Sequence, residues 1–489
     1  MDLRRRGTGG ARRFPALVTL VPLMATGCLL FKPSPGLEEV AREAVPEGAK
    51  PPSKWVSESS DGGLVENDWL ATFNDPGLVE IVRQAMAHNP DIAAVASRVQ
   101  RAEQVAQKVG AQLVPTVGVN ASVSGTYNFD KPAPFASFGA VLAVAWEADI
   151  WGKLTSEKES ALASARATEM DYAAGRQLLA AATARNWYAA TEMLQLVSLG
   201  RHGVSVYKQL VVLVEAKAAA GKVGQLEISE ASARLHEAES QLVHAEASYA
   251  EALRSLEVLA GRYPAAAVAV NADFVAVPPP IPAGLPASLL QRRPDLIAAG
   301  RRVQAAFQGV QAAKLALLPS FSLTTAGGVL DDPLLSVLNE NPTFVTLGLK
   351  LLAPIFDGGQ LRAKVGIADA AQREAIALFG RAALESFKEV ETALANEVFI
   401  AHGLAALQKA AAERSEAVRI ARDKLEAGSI DLLPVLQLQA DELTVDGEVI
   451  QLRGAQLANR IQLHLVLGGG FEARPAAELP TAPTASGSR

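Results

Sequence analysis

The stretch LLAPIFDGGQLRAKV (Leu351–Val365) ends one pattern and starts another. Before it, Val345, Leu347, Leu349 and Leu351 alternate with Thr346, Gly348 and Lys350, the period of a strand with one apolar face. After Asp357-Gly358-Gly359 the chain becomes rich in helix formers. AWEADIWGKLTSEKE (Ala145–Glu159) makes the same change, with Gly152 standing 207 residues before Gly359. A strand-to-helix switch made twice predicts a duplicated module.

Other landmarks agree. NPDI (Asn89–Ile92) matches RPDL (Arg293–Leu296) at an offset of 204, and Pro115 matches Pro319. From Gly152/Gly359 onward the offset is 207, through Gly221/Gly428 and Gly261/Gly468. Two long copies point to tandem duplication rather than a solenoid of short units. The expected boundaries are a signal peptide over 1–27, an N-terminal segment over 28–88, repeats over 89–261 and 293–468, a linker over 262–292 and a disordered tail over 469–489.

Each repeat carries two alternating runs. Val117, Val119, Ala121 and Val123 oppose Thr116, Asn120, Ser122 and Ser124, and Phe138 to Trp146 repeats the pattern. Phe321, Leu323 and Val329 share a face against Ser320, Ser322 and Thr324 in the second copy. Runs of about 10 residues suffice for a tilted strand to cross a bilayer. The turn-rich loops DKPAPFAS and LDDPLLSVLNENP separate the members of each pair. Long proline-free stretches then predict helices over 153–220 and 360–427, each about 100 Å long at 1.5 Å per residue, ended by Gly221 and Gly428. Return helices are expected over 225–260 and 431–467, and leading helices over 91–113 and 295–318.

At the N-terminus, Arg4, Arg5, Arg6, Arg12 and Arg13 precede the apolar run Phe14–Leu23, and MATGC follows. This is the pattern of an export signal, too short to span a bilayer as a helix. Its end at Gly27-Cys28 resembles a bacterial lipobox, although Ala25 stands where leucine is usual. Cys28, the one cysteine, is therefore the expected lipidation site and excludes an intrachain disulfide framework. Cleavage there removes five arginines and Asp2, taking the net charge from −6 to −10. Nothing in this balance suggests nucleic acid as a partner.

Four strands cannot close a barrel with a polar lumen, and an open sheet in lipid leaves its edge groups unpaired. The sequence therefore predicts an α+β membrane protein whose barrel is completed by other copies. Three chains supply twelve strands around a water-filled pore, continued by a barrel of long helices. Alanine-rich helices that need neighbouring chains for packing fit that reading. A coiled-coil structural lipoprotein that forms no channel is the alternative of another class.

Four segments carry a resemblance: WLATFNDPGLVEIVRQAMAHNPDI (Trp69–Ile92), PAGLPASLLQRRPDL (Pro282–Leu296), APIFDGGQLRAKV (Ala353–Val365) and SFKEVETALA (Ser386–Ala395). In order, and with the duplication, they resemble outer-membrane factors of the TolC family, in the NodT- or OprM-like lipoprotein branch. The resemblance implies a homotrimeric efflux channel in the outer membrane, contacting outer-membrane lipid. It also implies a periplasmic adaptor and an inner-membrane pump of the resistance-nodulation-division type as partners. A type I protein secretion duct shares the fold; the lipobox and GLPASLLQRRPDL favour efflux.

Catalytic and cofactor readings find no support. There is no phosphate loop, and His88, His202, His236, His244, His402 and His464 have no metal-ligand spacing. Asp295 of RRPD reads as a helix-start carboxylate. The candidate gate lies at the Gly221 and Gly428 turns. The family's tip pattern resembles LLDVLDAQ, but this chain has LLPVLQLQ, with Pro434 and Gln437 in place of two carboxylates. The first copy has Glu227 and Glu230 at the same offsets, and Asp431 lies near Pro434. In several copies Glu227, Glu230 and Asp431 are expected to give a negative entrance; solvated helix-start acids are the plainer reading.

Overall fold

In a computed structural model, residues 32–45, 51–57, 67–127, 134–284, 286–331 and 343–472 are described. The signal segment, Cys28, parts of both strand-connecting loops and the tail beyond residue 472 lie outside them. The described elements are α1 (Leu37–Ala44), α2 (Trp69–Thr72), α3 (Pro76–His88), α4 (Pro90–Gly110), β1 (Thr116–Tyr127), β2 (Pro134–Ala148), α5 (Lys153–Ala219) and α6 (Gln225–Leu259). The second copy follows with α7 (Leu289–Arg292), α8 (Pro294–Leu315), β3 (Ser320–Asp331), β4 (Thr343–Leu352), α9 (Gln360–Glu426) and α10 (Leu432–Val466). A leading helix, two strands, a 67-residue helix and a 35-residue return helix thus occur twice.

The helix ends fall slightly inside the expected limits. Both long helices stop one residue early because the capping turn takes in Ala220 and Ala427. Lys222 N–H donates to the Lys217 carbonyl and Gly221 N–H to the Ala218 carbonyl; Ser429 to Lys424 and Gly428 to Leu425 repeat this. These are Schellman closures, with glycine at the left-handed position, φ 70° and 72°. Gly261 and Gly468 close the return helices in the same way, at φ 69° and 73°.

The chain forms two compact units. One comprises residues 1–40, 101–166 and 300–377. It holds an antiparallel sheet in the order β1-β2-β3-β4, leaving β1 and β4 as edges. Its helical part packs small residues, including Ala163, Ala305 and Ala312, and Ser160 Oγ donates to the Ala305 carbonyl at 2.8 Å.

The other unit comprises residues 41–100, 167–299 and 378–489. One core there joins Trp69, Phe73, Leu78, Tyr188, Leu256 and Ile461. A second gathers Trp55, Ile281, Val390 and Leu463. Buried carboxylates staple its irregular segments. Asp75 caps α3 through Leu78 N–H and accepts from Trp187 Nε1 and Asn271 Nδ2, both at 2.9 Å. Glu257 accepts from the N–H groups of Ala266, Ala267 and Val268, which fix the start of the linker. Burial opposes the Glu257 charge, but these donors hold its pKa below the ordinary range.

Candidate channel wall, strand-to-helix switches and helix tips

Opposite residues in an antiparallel ladder share a face, so register decides whether four amphipathic strands make one amphipathic sheet. Here it does. Val117 pairs with Val144, Val119 with Leu142 and Ala121 with Ala140. Trp146 continues to Leu323, which pairs with Leu349, while Phe321 pairs with Leu351. The other face presents Thr116, Gly118, Asn120 and Ser122 from β1, Ser322, Thr324, Ala326 and Gly328 from β3, and Thr346, Gly348 and Lys350 from β4. Val141, Phe344 and Leu352 interrupt it.

Val117, Val119, Val123, Val345, Leu347 and Leu349 are exposed in the single chain, as expected of a surface made for lipid. On that apolar side, Thr325 donates its hydroxyl to the Thr346 carbonyl at 3.0 Å, so it carries no unsatisfied donor. Two tryptophans pin the helix-to-strand junctions. Trp146 Nε1 donates to the Leu113 carbonyl ahead of β1, and Trp151 Nε1 to the Pro319 carbonyl ahead of β3.

At the first switch Gly152 takes φ 84°, and at the second Gly358 and Gly359 take φ 66° and 90°. A left-handed residue lets the chain turn sharply from strand to helix, and glycine does this without Cβ strain. Each helix start is then capped by an aspartate. Asp149 accepts from Leu154 and Thr155 N–H at 2.9 and 2.8 Å. Asp357 accepts from Leu361 and Gly359 N–H, and these bonds hold its pKa below the usual carboxylate range. The two caps are not equivalent positions, since Asp149 corresponds to Phe356 at the offset of 207. They were not among the expected site residues, although an aspartate just before a helical run is a legible capping signal.

The switches also differ in charge. The first has Glu147, Asp149, Glu157 and Glu159 against Lys153 and Lys158, and Lys153 Nζ reaches Glu147 at 2.6 Å. Burial, followed by the neighbouring carboxylates and against the pull of Lys153, raises the pKa of Glu157. The second has Lys350, Arg362 and Lys364 against Asp357.

At the turns after α5 and α9, four helix ends share a core of Tyr207, Leu210, Val214, Leu425, Leu432 and Leu436. A cleft of about 530 Å³ beside it brings together Glu227, Glu230 and Asp431, as well as Glu426, Lys217 and Lys222. Pro434 and Gln437 do not line it. Pro434 is the third residue of α10, where its missing N–H costs little, and Gln437 is exposed one turn on. Glu227 accepts from Gly224 N–H at 2.9 Å and so has a capping role at the start of α6. Asp431 is the N-cap residue of α10 but makes no side-chain capping bond. Lys217 donates to the Leu425 carbonyl, which ties the end of α5 to that of α9. The two lysines were absent from the expected picture of the tip.

The histidines are not gathered. His464 is buried, 6% exposed, and stacked on Trp69 at 5.6 Å between ring centres. Neither of its ring nitrogens has a hydrogen-bond partner. Asp295 is held by Arg293, which also reaches Glu389 at 2.6 Å.

Comparison with known proteins closes the case for the family. The outer membrane efflux protein family matches this chain twice, over residues 81–262 and 285–469. The pyoverdine export outer membrane protein OpmQ of Pseudomonas aeruginosa is 30% identical, over 80% of this chain and 85% of its own length. The cation efflux system protein CusC of Escherichia coli is 26% identical, over 80% of this chain and 86% of its own. A crystal structure of CusC superposes with a TM-score of 0.76 at 25% identity, covering 86% of this chain and 97% of that one. The paired match follows the duplication, and the fold recurs over most of the chain in a transmembrane channel: the chain belongs to the outer membrane efflux proteins, the TolC family.

Proposed function

We propose that this chain is the outer-membrane channel of a tripartite efflux system, a passive duct that carries small molecules outward from a periplasmic adaptor and an inner-membrane pump of the resistance-nodulation-division type. The observation that carries this reading is the sheet, whose register aligns an apolar face against a face of small and polar residues while both edges stay unpaired. Each unpaired backbone group in lipid costs several kcal/mol, roughly, so the edges require partner strands. Three copies give a 12-stranded barrel with the polar face inward. Alanine-rich helices with exposed apolar residues such as Leu178, Ile367 and Phe399 pack against neighbouring copies.

A lipid anchor at Cys28 fits the same placement. Gln308 Nε2, on α8, donates to the Lys32 carbonyl and to Ser34 Oγ at 3.0 and 2.9 Å. The four residues back to Cys28 reach about 14 Å when extended, against about 11 Å of helix from Gln308 to Leu315, short of β3. These lengths support an anchor at Cys28 within reach of the membrane surface.

Dye accumulation tests the function. Cells lacking this protein should retain more ethidium than cells that express it, and Leu349→Pro on the β4 edge should fail to restore export. Equal retention in all three strains would remove the efflux reading. In detergent the intact protein should have about three times the chain mass, and a stable monomer with its sheet intact contradicts the barrel.

A further inference from the structure

Resting on that trimeric reading, we infer that the duplication dictates the strand register at the seam between copies. The edge of β4 pairs with β1 of the next copy so that Lys350 stands opposite Ser122, Leu352 opposite Asn120 and Leu349 opposite Val123 of that copy.

The inference starts from a regularity within the chain. β3 is β1 displaced by 204 residues, and β4 is β2 displaced by 207. These displacements turn the pair Thr116↔Ala145 into Ser320↔Leu352, and Val117↔Val144 into Phe321↔Leu351. Both are observed pairs, so the second hairpin reproduces the first without a slip. The ladder between β2 and β3 is the one junction between repeats that the chain contains. In a closed ring of repeats, the junction from β4 to the next β1 is its counterpart.

Applying the displacements to that ladder gives the seam. Ala143↔Ala326 becomes Lys350 opposite Ser122. Ala145↔Thr324 becomes Leu352 opposite Asn120, and Leu142↔Gly327 becomes Leu349 opposite Val123. Two independent features agree with this result. First, odd-numbered residues of β4 meet odd-numbered residues of β1, so the apolar faces of the two strands join across the seam, and the other faces join as well, with Leu352 opposite Asn120 the exception there. A slip of one residue would reverse the faces. Second, β2 pairs as far as Ala148, whose counterpart is Ile355. In the single chain β4 stops at Leu352, leaving Ile355 98% exposed. The seam extends the ladder to Ile355 and sets it opposite Val117, itself exposed in the single chain on the apolar face.

Four paired-cysteine variants of the full chain test the register on its water-facing side. Lys350→Cys with Ser122→Cys, and Leu352→Cys with Asn120→Cys, are in register. Lys350→Cys with Asn120→Cys, and Leu352→Cys with Ser122→Cys, are displaced by two residues. Opposite residues fall within disulfide reach, whereas a displacement of two adds about 7 Å along the strand. After mild oxidation in the membrane, the in-register pairs should give covalent trimers. The displaced pairs should give at least about tenfold less product. The four single variants control for Cys28. Mass measurement of the unoxidised variants separates the possible failures. Trimers in which the displaced pairs cross-link best, or in which no pair does, overturn the register and leave the trimeric channel standing. Monomers overturn both.

Discussion

His464 shows what a single side chain contributes at this depth. Burial first, then the nearby Arg460 charge, pushes its pKa down to about 3, against an ordinary 6.5. The folded state thus favours the neutral ring. Its contribution is intact above the unfolded-state pKa of about 6.5 and erodes as pH falls from there toward 3. The loss approaches about 1.4 kcal/mol per pH unit at most. His464→Phe keeps a ring against Trp69 and removes two buried nitrogens without partners. We expect its melting temperature to fall less than the wild type's between pH 6.5 and 4.5; parallel pH profiles would contradict this account. Neighbouring Arg460 donates to the Pro278 and Pro279 carbonyls and to Glu397. Such partners lie far away in sequence, so the histidine pattern could say only that no metal spacing was present. The cap that Asp75 makes is local, but its bonds from Trp187 and Asn271 were equally hidden, because donors from distant segments leave no local periodicity.

Elements were far more legible, because what defines them is local. Two-residue alternation marks the strands, and a glycine after a run of helix formers marks each Schellman closure. The ends were less certain by one to a few residues, since capping geometry draws terminal residues into turns. Gly428 and Gly366 isolate the backbone's part in this. Within the single chain neither has a neighbour that an added Cβ would meet, but Gly428 has φ 72° whereas Gly366 lies within α9. Gly428→Ala should destabilise by about 1 kcal/mol through left-handed strain. Gly366→Ala should stabilise by up to about 1 kcal/mol through helix propensity. Thermal melts of the solubilised protein read both, and shifts of the same sign would refute the assignment. Charge at the helix ends follows similar logic. Four carboxylates, Glu227, Glu230, Glu426 and Asp431, line the tip cleft against Lys217 and Lys222, so its field is negative on balance. Glu227→Gln with Glu230→Gln should lower cation selectivity in planar bilayers, more at low salt than at high, without changing the trimer. Unchanged selectivity in this variant and in Asp431→Asn leaves these groups no part in selectivity, with Glu227 a helix cap alone.

For the whole molecule, the anchor proposed at Cys28 and the barrel would be two attachments of unequal strength. Even a chain end that carries several acyl chains holds a membrane less firmly than a closed barrel does. Cys28→Ser should therefore remain in the outer-membrane fraction, with a mature N-terminus that carries no acyl chains by mass spectrometry. An unmodified wild-type terminus, or one elsewhere, would remove the anchor. The oppositely charged switches have a consequence for how such a wall can be inherited. A ring of six identical single repeats must place the same residues at all six strand-to-helix turns. Built from either repeat found here, it would carry six acidic corners or six basic ones, with like charge at every corner. Fusing two repeats into one gene frees the halves to diverge. The corners around Glu147 and Lys350 can then alternate in sign around the ring, a balance that sixfold identity forbids.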